Sequence, residues 1–152
     1  MSEVVQDFAG LLYTVTNNAP ALARAYREFG AAVLSGSGLD PALRELVTTV
    51  VLEACGARKM AERHGKSAVR LGIPESKLRD VADVETAVGF SDFERAVLRF
   101  ALESARAVHV DEETFAALRR WLDLRAQTAL TLLVAYYAGL AHIAVPLDAE
   151  SD

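Results

Sequence analysis

From Ala126 to Leu147 the chain runs without a single Asp, Glu, Lys or Arg. Crossing a bilayer takes about 20 apolar residues, so this stretch either spans a membrane or forms the buried heart of a helical assembly. Gln127, Thr128, Thr131, Tyr136, Tyr137 and His142 interrupt it, and no basic anchor follows it. We read it as a helix that is apolar all round because neighbours cover it all round, and expect no membrane span. A helix of that kind needs other helices to pack on.

Start and stop signals for those helices recur along the chain. Asn18 with Pro20 reads as a cap with Pro in the first turn, opening a helix to about Ala32. The loop "SGSGLDP" follows, and Asp40 caps a second helix that has Pro41 at its first position and ends near Ala54, with Gly56 as terminator. A third runs from about Ala57 to Leu71 and closes at Gly72, and Pro74 opens a short fourth. Ser91 and Glu94 form a capping box before "FERAVLRFALESARA", and Asp111 caps "EETFAALRRWL". The one β-like run, "ELVTTVVLEA", has the cap and length of a buried helix, and no segment sustains period-two alternation. The expected architecture is a single all-α domain over residues 1–152, a compact bundle of six to eight helices. Residues 1–17 form an N-terminal segment in which Phe8, Leu11, Leu12 and Tyr13 fit a short packed helix, and 148–152 an acidic, solvated tail.

Composition narrows the function classes. A net charge of −5 with no basic cluster excludes a nucleic-acid surface, which needs concentrated Lys and Arg. One cysteine cannot make an internal disulfide, and the opening Met-Ser-Glu-Val-Val-Gln-Asp carries acids where a signal peptide needs positive charge; both point to the cytoplasm. The last helix has too much apolar surface for a small monomer, so a homo-oligomer is expected. Cys55, His64, His109 and His142 show no ligand spacing, and we expect no metal and no cofactor.

Positions three, four and seven apart share a helix face. Counting from His64 gives Ala57, Met60, Ala61, Ser67, Ala68 and Leu71, small or apolar but for one hydroxyl, while Arg58, Lys59, Glu62, Arg63, Lys66 and Arg70 fall elsewhere. His64 thus turns inward, where an unpartnered imidazole costs about 1–3 kcal/mol. Glu45, in the preceding helix, is its obvious partner. Two readings of Glu45 stay open: a carboxylate held for His64, or one that complements the helix dipole from the solvent side. Cys55, at a helix junction, is either a thiol activated by the third helix's N-terminus or, the stronger case, a small buried hydrophobe.

These residues resemble the carboxymuconolactone decarboxylase and alkylhydroperoxidase D-like superfamily. The match begins at "ALRELVTTVVLEACGARKMAERHGKSAVRLGIPESKL", where Arg44-Glu45, His64, Ala68 and the Gly-Ile-Pro turn follow the family pattern. It continues more weakly through "FSDFERAVLRFALES" and "FAALRRWLDLRAQTALTLLVAYYAGLAHIAV". Peroxidase-type members carry Cys-x-x-Cys with a histidine between. Here Ala57 and Met60 stand at the two cysteine positions, Lys59 replaces the histidine, and Cys55 lies two residues too early. Lacking a resolving thiol within the subunit, the two-thiol cycle cannot run.

The resemblance implies an acid–base enzyme of decarboxylase, isomerase or lyase type acting on a small carbonyl compound or lactone acid. Glu45 would orient His64, and His64 would move the proton. Leu52, Ala57, Met60, Tyr136, Tyr137 and His142 would line the substrate pocket, and Arg24, Arg44 or Arg95 would meet an anionic substrate. It also implies a trimer or hexamer. Two alternatives remain: a small-molecule-binding or scaffold homologue that has lost the chemistry, and a peroxidase-like protein using Cys55 with an external thiol.

Overall fold

The computed structural model describes residues 17–147. Among them are seven α-helices and one short 3-10 turn, and no strand: α1 Pro20–Gly36, α2 Pro41–Ala54, α3 Arg58–Arg70, α4 Glu75–Asp80 running into the 3-10 turn Val81–Asp83, α5 Asp92–Ala107, α6 Glu112–Leu118 and α7 Leu124–Ala144. The expected segment before residue 17 and the acidic tail lie outside the described residues.

Local capping explains where most helices begin. The Asp40 carboxylate accepts the Ala42 and Leu43 N–H groups at 3.0 and 3.3 Å, with Pro41 in the first turn. At α5 both halves of the capping box are formed: Glu94 N–H donates to Ser91 Oγ, and Ser91 N–H to Glu94 Oε2. Asp123 caps α7 by accepting the Ala126 N–H at 2.8 Å. Gly56 and Gly72, at φ 81° and 103°, turn the chain after α2 and α3 in a conformation that side chains resist.

Two boundaries and one cap differ from the sequence expectation. Ala19, not Asn18, is the residue before α1; at φ −145° it obeys the exclusion of the helical region ahead of proline. The same helix runs on to Gly36 because its last carbonyls find acceptor roles: Ser35 donates to Ala32 O, and Ser37 and Arg44 to Leu34 O. Asp111 precedes α6 but its side chain makes no cap; its own N–H donates to Glu103 Oε2 across from α5, and its carboxylate faces His109.

The β-branched run of α2 is helical because it is the central element, packed on α3, α5 and α7. Leu43 and every residue from Leu46 to Leu52 are buried, which tertiary contacts on all sides make favourable despite modest helix propensity. One described helix, α7, is long and apolar enough to cross a membrane by length and composition. It packs against α1, α2 and α5, and its buried side carries Leu130, Leu133, Val134, Tyr136, Tyr137, Leu140, Ala141 and Ala144.

A mid-helix glycine sets the α1–α7 distance. A Cβ on Gly30 would lie 2.5 Å from Tyr136 Cζ and closer still to its hydroxyl, so only glycine admits that ring. Tyr136 stacks on Tyr26 with centroids 5.0 Å apart and meets Phe29 edge-on at 5.7 Å, while the Tyr26 hydroxyl donates to Tyr136 O at 2.6 Å. Its partners lie 110 residues apart, a separation that leaves no local trace in the sequence.

Candidate functional site

Glu45 on α2 and His64 on α3 meet at the most extensive helix contact among the described residues. His64 Nδ1 lies 2.7 Å from Glu45 Oε2, and both side chains are largely sheltered, at 15% and 14% exposure. The helix face that places His64 is the one its spacing implied: Ala57, Met60, Ala61 and Ala68 are buried. Leu71 is the exception, half exposed at the α3 C-cap. Glu45 is therefore not a solvent-side dipole partner.

A carboxylate only accepts, so this bond assigns the hydrogen to Nδ1. That tautomer leaves Nε2 with a lone pair, and Nε2 makes no hydrogen bond among the described residues. An imidazole so held can take a proton at Nε2 while the carboxylate stabilises the resulting cation.

Tyr137 from α7 forms the third side. Its ring stands edge-on to His64, centroids 5.2 Å apart at 78°, and meets Tyr136 in the same manner at 5.1 Å. Burial pushes the Tyr137 phenol well above its ordinary pKa, and the nearby Glu45 carboxylate and Tyr136 push it further. The Thr48 hydroxyl and the Arg44 cation act in the other direction and do not outweigh it. Thr48 Oγ1 nonetheless makes no bond of hydrogen-bonding geometry. Burial lifts Tyr136 to about 12.

The other expected site residues divide. Leu52 and Ala57 are completely buried and Met60 nearly so, all within the apolar core. Tyr136 faces α1, touching the site only through Tyr137. His142 is exposed, since five residues along α7 turn it about 140° away from Tyr137; it does not reach the pair. Of the three arginines, Arg24 is exposed, and Arg95 is bound to the Val84 and Ala87 carbonyls. Arg44 alone adjoins the site.

Cys55 is the C-cap of α2 and lies ahead of the α3 N-terminus, which begins at Arg58 with Ala57 as its cap residue. It is half-buried, and burial raises its thiol pKa, the reverse of activation. His109 is exposed, 3.2 Å from Asp111. No group of three or more His, Cys, Asp or Glu capable of holding a metal occurs among the described residues.

A surface cleft of about 820 Å³ lies along α3 and α4, lined in part by Thr49, Ala61, Gly65, Val69 and Leu78. A smaller one of about 510 Å³ runs between the 3-10 turn and α5. Neither includes Glu45, His64 or Tyr137. Size does not locate the chemistry here; the acid–imidazole contact does. Sequence reasoning missed Thr48 as part of the site and Gly30 as its remote support, although an isolated glycine inside a helix pattern is a signal of close approach.

Comparison with known proteins agrees with this architecture. The model of the carboxymuconolactone decarboxylase family matches residues 20–103, more than half of the chain. Among solved structures, a protein of unknown function from Agrobacterium tumefaciens, for which an AhpD-type antioxidant-defence role has been suggested, aligns with TM-score 0.80 at 18% identity, covering 88% of this chain and 92% of that one. The debrominase Bmp8, as a cysteine-to-alanine variant with 2,3,4-tribromopyrrole, aligns with TM-score 0.77 at 20% identity, covering 94% and 82%. Its apo form aligns with TM-score 0.78 at 19% identity, covering 93% and 82%. No curated protein matches significantly.

Proposed function

The chain belongs to the carboxymuconolactone decarboxylase family, and from that premise we propose that it is a non-redox acid–base enzyme of the decarboxylase, isomerase or lyase type. Its substrate is a small carbonyl compound or lactone acid. Glu45 fixes the His64 tautomer, and His64 Nε2 moves the proton. In proton abstraction, the C–H electron pair passes to the adjacent carbonyl as an enolate while Nε2 takes the proton. In decarboxylation, the C–C pair takes that route as carbon dioxide leaves, and an imidazolium protonated from solvent gives its Nε2 proton to carbon. Tyr137 and Met60 close the apolar side.

The observation that carries this reading is the sheltered 2.7 Å contact between Glu45 and His64. Redox chemistry has less support: Ala57 and Met60 occupy the positions of the peroxidase-type thiols, and burial raises the pKa of the one cysteine, away from activation. We further propose a homo-oligomer, trimeric or hexameric, joined through the outward face of α7, where Leu124 and Leu132 are exposed. The catalytic reading is tested by incubating small keto acids and lactone acids with the protein in D₂O and following deuterium uptake and decarboxylation by NMR. Wild type is expected to turn over at least one, and His64→Gln to lose about 10²–10⁴-fold of that rate. A folded His64→Gln protein with undiminished turnover would overturn the assignment.

A further inference from the structure

The cleft along α3 and α4 stands apart from the acid–imidazole pair. Its volume of about 820 Å³ falls in the range of small-molecule sites, about 300–1,000 Å³. The floor is apolar. Ala61 and Gly65 on α3 are buried there, and Val69 and Leu78 flank them. Thr49 spends its hydroxyl on Glu45 O at 2.9 Å and turns its methyl inward, 3.7 Å from where a Cβ on Gly65 would stand. From Ala61 to Val69 this floor follows α3 for about 12 Å. Its side chains present methyl and methylene groups, so what lies along it is apolar too.

Charge collects on the rim. Four of the chain's sixteen Lys and Arg residues, Arg58, Lys66, Arg70 and Arg79, line the cleft beside three carboxylates. Each carboxylate is offset locally. Glu62 pairs with Lys66 at 2.9 Å, and Glu75 lies in the first turn of α4, where free N–H groups favour a negative charge. Desolvation raises the pKa of Glu53, which disfavours its charged form. Arg58 and Arg79 have no such offset, and neither has an ion-pair partner among the described residues. The chain as a whole, at −5, repels anions. Two unpaired guanidinium groups over an apolar floor are therefore a local exception.

We propose that this cleft binds a single-chain anionic amphiphile, its alkyl chain along the floor from Ala61 to Val69 and its head at the Arg58 and Arg79 rim. A neutral chain would leave both guanidinium groups unused, and a bare anion would leave the apolar floor wet. Burying the chain on the floor supplies most of the affinity, and the rim cations select the charge of the head. The inference does not depend on the acid–base reading, because neither Glu45 nor His64 lines the cleft.

The test titrates the protein calorimetrically with decyl sulfate below its micelle threshold, while circular dichroism follows helicity. Decyl maltoside serves as the neutral amphiphile of equal chain, and methyl sulfate as the head alone. Decyl sulfate is expected to bind saturably at a single site with helicity kept. Each control should bind at least about tenfold more weakly, having lost a charged hydrogen bond or the apolar contact. Arg58→Gln combined with Arg79→Gln should weaken decyl sulfate about tenfold and leave decyl maltoside unchanged. Both arginines are exposed, so the double variant keeps the fold. Val69→Ser, on the floor, should instead weaken both alkyl probes several-fold. Either control bound as tightly as decyl sulfate, no saturation, or helicity lost on binding would overturn the proposal. So would decyl sulfate binding that ignores the loss of both arginines.

Discussion

Replacing Gly30 by Ala tests how the site is supported from behind. In an ordinary helix interior the change gains about 1 kcal/mol, because glycine loses more backbone freedom on folding. At Gly30 the new Cβ would lie 2.5 Å from Tyr136 Cζ and 2.8 Å from Cε2. Contacts of that kind must open by roughly 1 Å, and the ring has nowhere to go: it is 3% exposed and hemmed in by Tyr26, Phe29 and Tyr137. Overpacking of this sort costs about 1–3 kcal/mol, and a disturbed aromatic pair about 0.5–1.5 more. After subtracting the helix gain, Gly30→Ala should lower the unfolding free energy by about 1–3 kcal/mol. Urea denaturation gives the value, with Gly36→Ala, where nothing lies within 4 Å of the added Cβ, as the control. A double variant with Tyr136→Leu should recover part of the loss, a coupling that additive sites do not show. If Gly30→Ala stabilises the protein as an open helix position would, the α1–α7 packing argued above is wrong.

Three further outcomes are expected. Burial tends to raise the Glu94 pKa, but the Lys77 ammonium at 2.6 Å and the Ser91 N–H outweigh it and hold the group below its ordinary value. Its contribution is thus complete above about pH 4.3 and is lost as pH falls through the lower folded value, so Glu94→Gln should flatten the acid limb of a stability–pH profile; an unchanged acid slope would contradict this. Val108, at φ 55° and 94% exposed, is a β-branched residue in the left-handed region with no packing to lose. Val108→Gly should stabilise by about 1 kcal/mol in urea denaturation, and a loss would show the strain argument to be mistaken. Thr48→Val removes a buried hydroxyl without a partner and should raise unliganded stability by about 1 kcal/mol; a drop would mean the hydroxyl is paired.

The parts of this fold legible in the sequence were the local ones. Asp40, Ser91 and Glu94 act within four residues of themselves, so their caps follow from residue type and spacing. The inward face of α3 could be counted because helix periodicity is rigid, and Glu45 was the acid within reach of it. Asp111 stands at the expected N-cap position, but its carboxylate turns to His109 and its N–H to Glu103 on another helix, contacts that local spacing does not record. Of the two readings of Cys55, the activated-thiol one depended on where one turn ends, and the residue closes α2 instead, half-buried. His142 shares α7 with Tyr137 but not its face. The aromatic contacts from Tyr26 through Tyr136 and Tyr137 to His64 join α1, α7 and α3, and no local pattern records such a meeting.

The bond between Glu45 and His64 carries the catalytic assignment, and the nitrogen-15 spectrum of the His64 ring reads it directly. Long-range proton–nitrogen correlation in the neutral ring should show hydrogen on Nδ1 and none on Nε2, with that preference lost in Glu45→Ala. A ring protonated at Nε2, or one whose tautomer is indifferent to Glu45, would contradict it.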